Sequence, residues 1–177
     1  MKSVKSSPSQ QAKIAIVDFG GQYAHLINSR IRNLGVYGEI VDPATFDLGT
    51  DPDFCGIIFS GGPHSVTEKG HPTIRFDLAA CSLPILGLCY GHQLLALMCG
   101  GTVAQGSTRE YGSTRIRCIP DATLFAGLPS EQRVWMSHGD HVAALPPKFR
   151  ITASSDDLAV AAFESDDSQR FGLQFHP

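Results

Sequence analysis

The sequence predicts an α/β domain, an open and mostly parallel sheet flanked by helices, with extra strands in its second half. Three observations carry this expectation. Short β-branched runs such as Lys13-Ile-Ala-Ile-Val-Asp-Phe19 are apolar on both faces, as strands inside a parallel sheet must be. Such runs alternate with segments of helical periodicity that end at glycine. After Gly101 the pattern changes to strand-like pieces split by turns, which suits further sheet, some of it antiparallel.

The first strand, in the run from Lys13, stops at Gly20-Gly21. Gln22–Leu34 follows as a helix, with Leu26, Ile27, Ile31 and Leu34 on one face and Gly35 as its C-terminal cap. Val36–Val41 and Gly56–Phe59 read as the second and third strands, the third ending in Ser60-Gly-Gly-Pro63. Ile74–Cys81 has helical spacing, Leu83–Leu88 is a fourth strand, and Tyr90–Cys99 is a helix closed by Gly100-Gly101. That rhythm is the one of an open sheet with right-handed crossovers. Thr102–Pro120 and Val134–Phe175 hold the later strands, separated by turns such as Leu145-Pro-Pro147 and Asp166-Asp167. Residues 1–12 are expected to be a disordered tail and residues 13–177 one domain.

Composition narrows the function. The 177 residues suffice for one domain with a sizeable core, and 42% hydrophobic with 18% charged residues is ordinary for a globular protein. A net charge of -3 with no basic block argues against a nucleic-acid partner. No apolar run is long enough to span a bilayer, and the N-terminal residues lack the apolar centre of a signal peptide. Five cysteines, an odd number without metal-ligand spacing, fit a reduced cytoplasmic setting.

The most informative stretch is Leu86-Gly-Leu-Cys-Tyr-Gly-His-Gln93. A buried strand runs into Cys89 and a helix starts at once, with Gly87 and Gly91 two residues to either side. This is the cysteine counterpart of the Gly-x-Ser-x-Gly nucleophile elbow, whose turn is too tight for side chains at the flanking positions. Such a nucleophile sits in a strained conformation at the carboxyl edge of the sheet, where open α/β folds bind ligands. The start of the next helix favours thiolate over thiol. Most free cysteines are simply small buried hydrophobes, and that reading holds for Cys55, Cys81, Cys99 and Cys118. The elbow alone also suits a peptidase or another thiol hydrolase.

Cys89-Tyr-Gly-His-Gln93 resembles the nucleophile motif Cys-x-Gly-x-Gln of the class I glutamine amidotransferases. Ser60-Gly-Gly-Pro63 is similar to the family's oxyanion loop, Trp135-Met-Ser-His-Gly-Asp140 to its substrate-side loop, and Phe171-Gly-Leu-Gln-Phe-His-Pro177 to the strand that carries its histidine. The resemblance runs from about Lys13 to the last residue and implies a flavodoxin-like three-layer fold. Tyr90, Asp18-Phe-Gly-Gly-Gln-Tyr23, Arg109-Glu-Tyr-Gly112 and Ser137-His-Gly-Asp140 resemble the branch that serves amination of xanthosine monophosphate (XMP) to GMP; His92 stands where methionine is frequent in that branch.

The resemblance implies that Cys89 attacks the side-chain amide of glutamine and that His176 is the base and acid. Gly62 and Tyr90 would supply oxyanion N–H groups. Gly61, Gln93, Ser137, His138, Gly139 and Asp140 would bind substrate. Arg109, Glu110, Asp140 and His141 would couple the site to a synthetase partner. That partner, of ATP-pyrophosphatase type and either a domain or a separate chain, uses ATP and magnesium; no cofactor is expected in this domain. His138 and His141 could be read as a zinc pair, but Gly139-Asp140 between them suggests a turn and no further ligands are evident, so no metal is expected. Ser60-Gly-Gly-x-x-Ser65 also resembles a pyrophosphate loop, but His64 replaces its aspartate and Pro63 removes an amide donor. The family's third catalytic residue, a glutamate two positions after the histidine, would fall beyond Pro177, so a fragment of a longer protein with impaired activity is expected. Two other functions remain open: the glutaminase of another synthase, of the anthranilate type, and a catalytically impaired regulatory or binding module of the same fold.

Overall fold

Alternation along the first strand decides how the layers stack. In β1 (Lys13–Val17), Ala15 and Val17 pack with Leu94, Leu95 and Ala96, whereas Ile14 and Ile16 pack with Ala24 and Ile31. The first group belongs to helix α2 (Tyr90–Met98) and the second to α1 (Ala24–Asn33), so the two helices cover opposite faces of one sheet. The computed structural model describes residues 12–50 and 52–177, with residues 50 and 107–109 described by backbone alone. The expected tail, apart from Ala12, lies outside the described residues.

The other strands are β2 (Tyr37–Val41), β3 (Phe54–Phe59), β4 (Ile85–Leu88), β5 (Thr102–Cys118), β6 (Glu131–Ala144), β7 (Phe149–Ser154), β8 (Ala162–Ser165) and β9 (Arg170–Leu173). Among the described residues they form one nine-stranded sheet in the order β2-β1-β3-β4-β9-β8-β7-β5-β6. From β2 to β9 every pairing is parallel, and from β9 to β6 every pairing is antiparallel. The parallel part has the doubly wound order with its switch point at β1 and β3. The antiparallel part curls back, because Trp135 of β6 pairs with His176 just after β9, with N–H···O distances of 3.3 and 2.9 Å in the two directions. The substrate-side loop expected at 135–140 is therefore a stretch of β6, delivered to the carboxyl ends of the parallel strands.

Gly35 ends α1 as expected, with φ +80° and its N–H on the Arg32 carbonyl. The pieces expected over 102–120 are one long strand: register shifts near Thr102 and between Gln105 and Glu110 bend β5 without ending it. The helix expected at Ile74–Cys81 does not form. Ile74, Leu78 and Cys81 are buried, but the segment is irregular with a single turn at residues 78–80. Asp77 accepts the Ala79 N–H in a local side-chain turn that competes with helix. Arg170 then takes the carbonyls of Leu78, Cys81 and Leu83 at 3.1, 2.5 and 2.9 Å, so acceptors at the end of the segment and just beyond it are satisfied from β9.

His92 is wholly buried on α2, edge-on to Phe163 with ring centroids 4.7 Å apart. Neither of its ring nitrogens has a hydrogen-bond partner among the described residues. Burial, reinforced by His138, pushes its pKa from 6.5 to about 3, so the ring is a neutral space-filler. The folded pKa is depressed, so the unfolded chain binds the extra proton and stability is lost as pH falls from 6.5 towards 3. Replacing the ring by an apolar side chain removes two unsatisfied nitrogens. His92→Met should raise stability at neutral pH by about 1–3 kcal/mol and flatten the loss on acidification, both read from urea unfolding.

Candidate active site

Cys89 is the N-cap of α2, one residue beyond β4, and holds φ +52°, ψ -105°. Non-glycine residues rarely adopt such backbone. The neighbours show why the chain tolerates it. A methyl group on Gly87 would lie 2.4 Å from the Gly91 carbonyl oxygen, and one on Gly91 would lie 2.4 Å from the Phe59 carbonyl oxygen. The strand end, the helix start and β3 thus meet backbone to backbone. Hydrogen bonds fix the turn: Cys89 N–H donates to the Leu173 carbonyl at 2.8 Å, Gly91 N–H to Ser60 at 3.1 Å, and Gln93 N–H to Cys89 at 3.2 Å.

The loop after β3 closes one side of Cys89. A methyl group on Gly61 would sit 3.4 Å from His176 Cε1 and 3.6 Å from Cys89 Cβ, which puts cysteine and histidine beside the same glycine. Ser60 Oγ shapes the loop by accepting the Phe19 N–H and donating to the Gly61 carbonyl. Gly62 is pressed against Phe19, where a methyl group would meet the carbonyl oxygen at 2.6 Å. Because Gly91 N–H is committed to Ser60 and Gln93 N–H to Cys89, the Tyr90 N–H is the early helix donor directed at the Cys89 sulfur. Tyr90 itself is anchored away from the site, its hydroxyl donating to the Pro72 carbonyl and 2.9 Å from His71 Nδ1.

A cavity of about 320 Å³ opens here, at the lower end of small-ligand sites. Its walls include Gly62, Cys89, Gln93 and Ser137 to Asp140, so the turn after β4, α2, β6 and the loop after β3 all contribute. The Cys89 thiol donates to the Ser137 carbonyl at 3.4 Å. Ser65 Oγ donates to the Asp140 carboxylate, a link between the β3 loop and β6 that no local pattern in the sequence announces. Gln93 is buried, and its amide nitrogen donates to the Asp140 carbonyl at 2.8 Å and to Gln174 Oε1 at 3.0 Å. That nitrogen is committed to holding β6 in place, which the motif alone does not reveal. Glu110 and His141, both half-buried, line a second cavity of about 320 Å³ that shares His138 and Gly139 with the first. The side chain of Arg109 lies outside the described residues.

Burial dominates the electrostatics. It pushes the Cys89 thiol up to about 11, against the lowering effect of the Tyr90 N–H and the Gln174 amide. The expected gain from the helix start is outweighed, and the sulfur rests as a thiol. Burial also pulls the His176 imidazole below its ordinary value. His176 stacks on Tyr23, with ring centroids 4.7 Å apart. A neutral thiol beside a neutral imidazole can exchange a proton at the moment of attack. His138 is likewise held below its usual range by burial, opposed by Glu110, whose carboxylate is 3.5 Å from Nε2.

The doubly wound sheet thus holds a buried cysteine on a strained strand–helix turn, with a helix N–H on its sulfur and a histidine nearby. Residues 15–177 match the family "Glutamine amidotransferase class-I", and the chain belongs to it. It is 48% identical over 167 residues to the glutamine-hydrolyzing GMP synthase of a Parafrankia species, covering 93% of this chain and 31% of that protein. It is 45% identical over 181 residues to the enzyme of that name from Streptomyces coelicolor, covering 100% of this chain and 34% of that one. The chain thus spans about a third of the length of these relatives. Among solved structures it resembles a Thermoplasma acidophilum protein assigned to GMP synthase, with TM-score 0.82 and 33% identity over 94% of this chain and 84% of that one. A glutamine amidotransferase of Thermotoga maritima, at 23% identity, TM-score 0.76 and coverage of 96% and 76%, shares the fold.

The elbow is the part of this site least able to change. Gly91→Ala should cost at least about 3 kcal/mol in urea unfolding, since the methyl group meets backbone and cannot be relieved by a rotamer change. A loss under ~1 kcal/mol would mean that α2 can shift away from β3 without penalty.

Proposed function

We propose that the chain hydrolyses glutamine to glutamate and ammonia through a thioester on Cys89, and that the ammonia serves ATP-dependent amination of XMP to GMP on a synthetase partner. The observation that carries the first part is Cys89 itself, held at φ +52° between β4 and α2 with the Tyr90 N–H on its sulfur. Membership of the class I family and the likeness to glutamine-hydrolyzing GMP synthases support the second part. ATP and magnesium would act in the partner; the chemistry below uses this chain's residues alone.

His176 takes the thiol proton as sulfur attacks the amide carbon. The carbonyl π electrons move to oxygen, and the N–H groups of Gly62 and Tyr90 hold the resulting oxyanion. Collapse expels ammonia with the proton returned by His176 and leaves a glutamyl thioester. Water, deprotonated by the same imidazole, then cleaves the thioester to glutamate and the free thiol. The raised thiol pKa makes proton removal part of the reaction, so His176 is needed for attack and not only for ammonia release. Gly61, Ser137, His138, Gly139 and Asp140 would contact the amino-acid end of glutamine, with Gln93 keeping Asp140 in position through its carbonyl. Cys89→Ser should abolish glutamine-dependent GMP formation in the complete enzyme and leave ammonia-dependent formation intact. Loss of both activities would contradict a role confined to ammonia supply.

Coupling divides among the residues that the sequence grouped together. Asp140 is buried and bonded to Ser65, so changing it should disturb hydrolysis itself. Glu110 and His141 sit behind His138, on the second cavity, and are better suited to carry a signal from the partner. Glutamate release by the complete enzyme should rise when ATP and XMP are added. Glu110→Gln should reduce that stimulation severalfold with little change in basal release, and an unchanged stimulation ratio would remove Glu110 from the coupling route.

A further inference from the structure

Gln174 lies directly after β9, beside the nucleophile, because Leu88 pairs with Leu173 and the Cys89 N–H bonds the Leu173 carbonyl. It has no exposed surface. Its carboxamide is oriented from one side: Oε1 accepts a hydrogen bond from Gln93 Nε2 at 3.0 Å, and Gln93 Nε2 is itself bound to the Asp140 carbonyl. Because the oxygen is claimed by Gln93, the Gln174 N–H groups are turned the other way. Nε2 is fully buried and has no complete hydrogen bond among the described residues, although the amide is close enough to the Cys89 sulfur to lower its pKa. A buried donor without an acceptor is costly, and it stands next to an atom that becomes an anion during the reaction.

We propose that Gln174 is a further catalytic residue, an amide donor that completes its hydrogen bond to the Cys89 sulfur only when the thiol ionises. Gln93 is the positioning residue that fixes the amide's orientation. The arrangement favours the charged sulfur over the neutral one, which is how a fixed donor promotes reaction. It also partly offsets the burial that holds the resting thiol protonated. The proposal rests on the reading of Cys89 as the nucleophile.

Other charged and titratable groups border the same cavity: His64 and Glu68 after β3, Tyr111 from β5, and His138 and Asp140 from β6, while His176 after β9 lies beside Gly61 and the Tyr90 hydroxyl is held away by Pro72 and His71. All of them remain when Gln174 alone is changed. The test is a pH titration of thiolate absorbance in the full-length protein, taken as the difference between each protein and its Cys89→Ser counterpart. It reads ionisation whether or not glutamine is the substrate, so failure of the glutaminase reading and failure of this proposal are distinguishable. Gln174→Met, which keeps length and removes the donor, should raise the Cys89 midpoint by about one pH unit, a tenfold smaller thiolate fraction at any pH below it. Gln174→Glu, nearly isosteric, should raise it at least as far, and serves alone if the methionine variant does not fold. Turnover of glutamine should fall about tenfold in kcat with KM little changed. A midpoint equal to wild type in either folded variant would overturn the proposal.

Discussion

Gly87 and Gly91 bring the end of β4, the start of α2 and the end of β3 into backbone contact, and much of the site depends on that approach. A methyl group at either glycine would be 2.4 Å from a carbonyl oxygen. With the gap that small, the residue between them must turn through positive φ, and the turn lifts Cys89 out of strand and helix alike. The same contact aligns the Tyr90 N–H with the sulfur and commits the Gly91 N–H to Ser60, which in turn shapes the glycine loop. Backbone strain here is held by surrounding packing, as strained functional residues require.

A second constraint comes from far along the sequence. The antiparallel strands β5 to β8 form an excursion between α2 and β9, and the pairing of Trp135 with His176 brings β6 back against the parallel half. Gln93, Gln174, Asp140 and Ser65 then lock the two halves in a chain of side-chain and carbonyl hydrogen bonds. The consequence is burial: Cys89, His92, His138 and His176 all have pKa values displaced toward their neutral forms. In the proposed reaction the thiolate therefore forms in the complex with substrate, and burial limits idle oxidation or alkylation of the thiol.

The parallel strands and both observed helices were legible because their apolar spacing and terminating glycines act locally. Ile74–Cys81 has helical spacing too, but Arg170, almost a hundred positions later, captures its carbonyls, and no local pattern announces that. The elbow was legible because sterics leave glycine as the residue for both flanks. The resting state of Cys89 was not, since the helix start is visible in sequence and the burial that outweighs it is not. Gln93 is marked by its motif, yet its partners on β6 and after β9 emerge only from the fold. Gln174 lies inside the histidine segment, and its orientation by Gln93 has no local signal in the sequence.

The proposed chemistry makes Cys89 the acylated nucleophile. A glutamine analogue carrying a diazo-ketone, incubated with the full-length protein and followed by peptide mass mapping, tests it most directly. The other four free cysteines are internal competitors, with Cys55 exposed and Cys99 half-buried. Stoichiometric modification at Cys89 alone, slowed by excess glutamine, is the predicted result. Modification at Cys55 or Cys99 at an equal rate, or at Cys89 without protection by glutamine, would contradict the account.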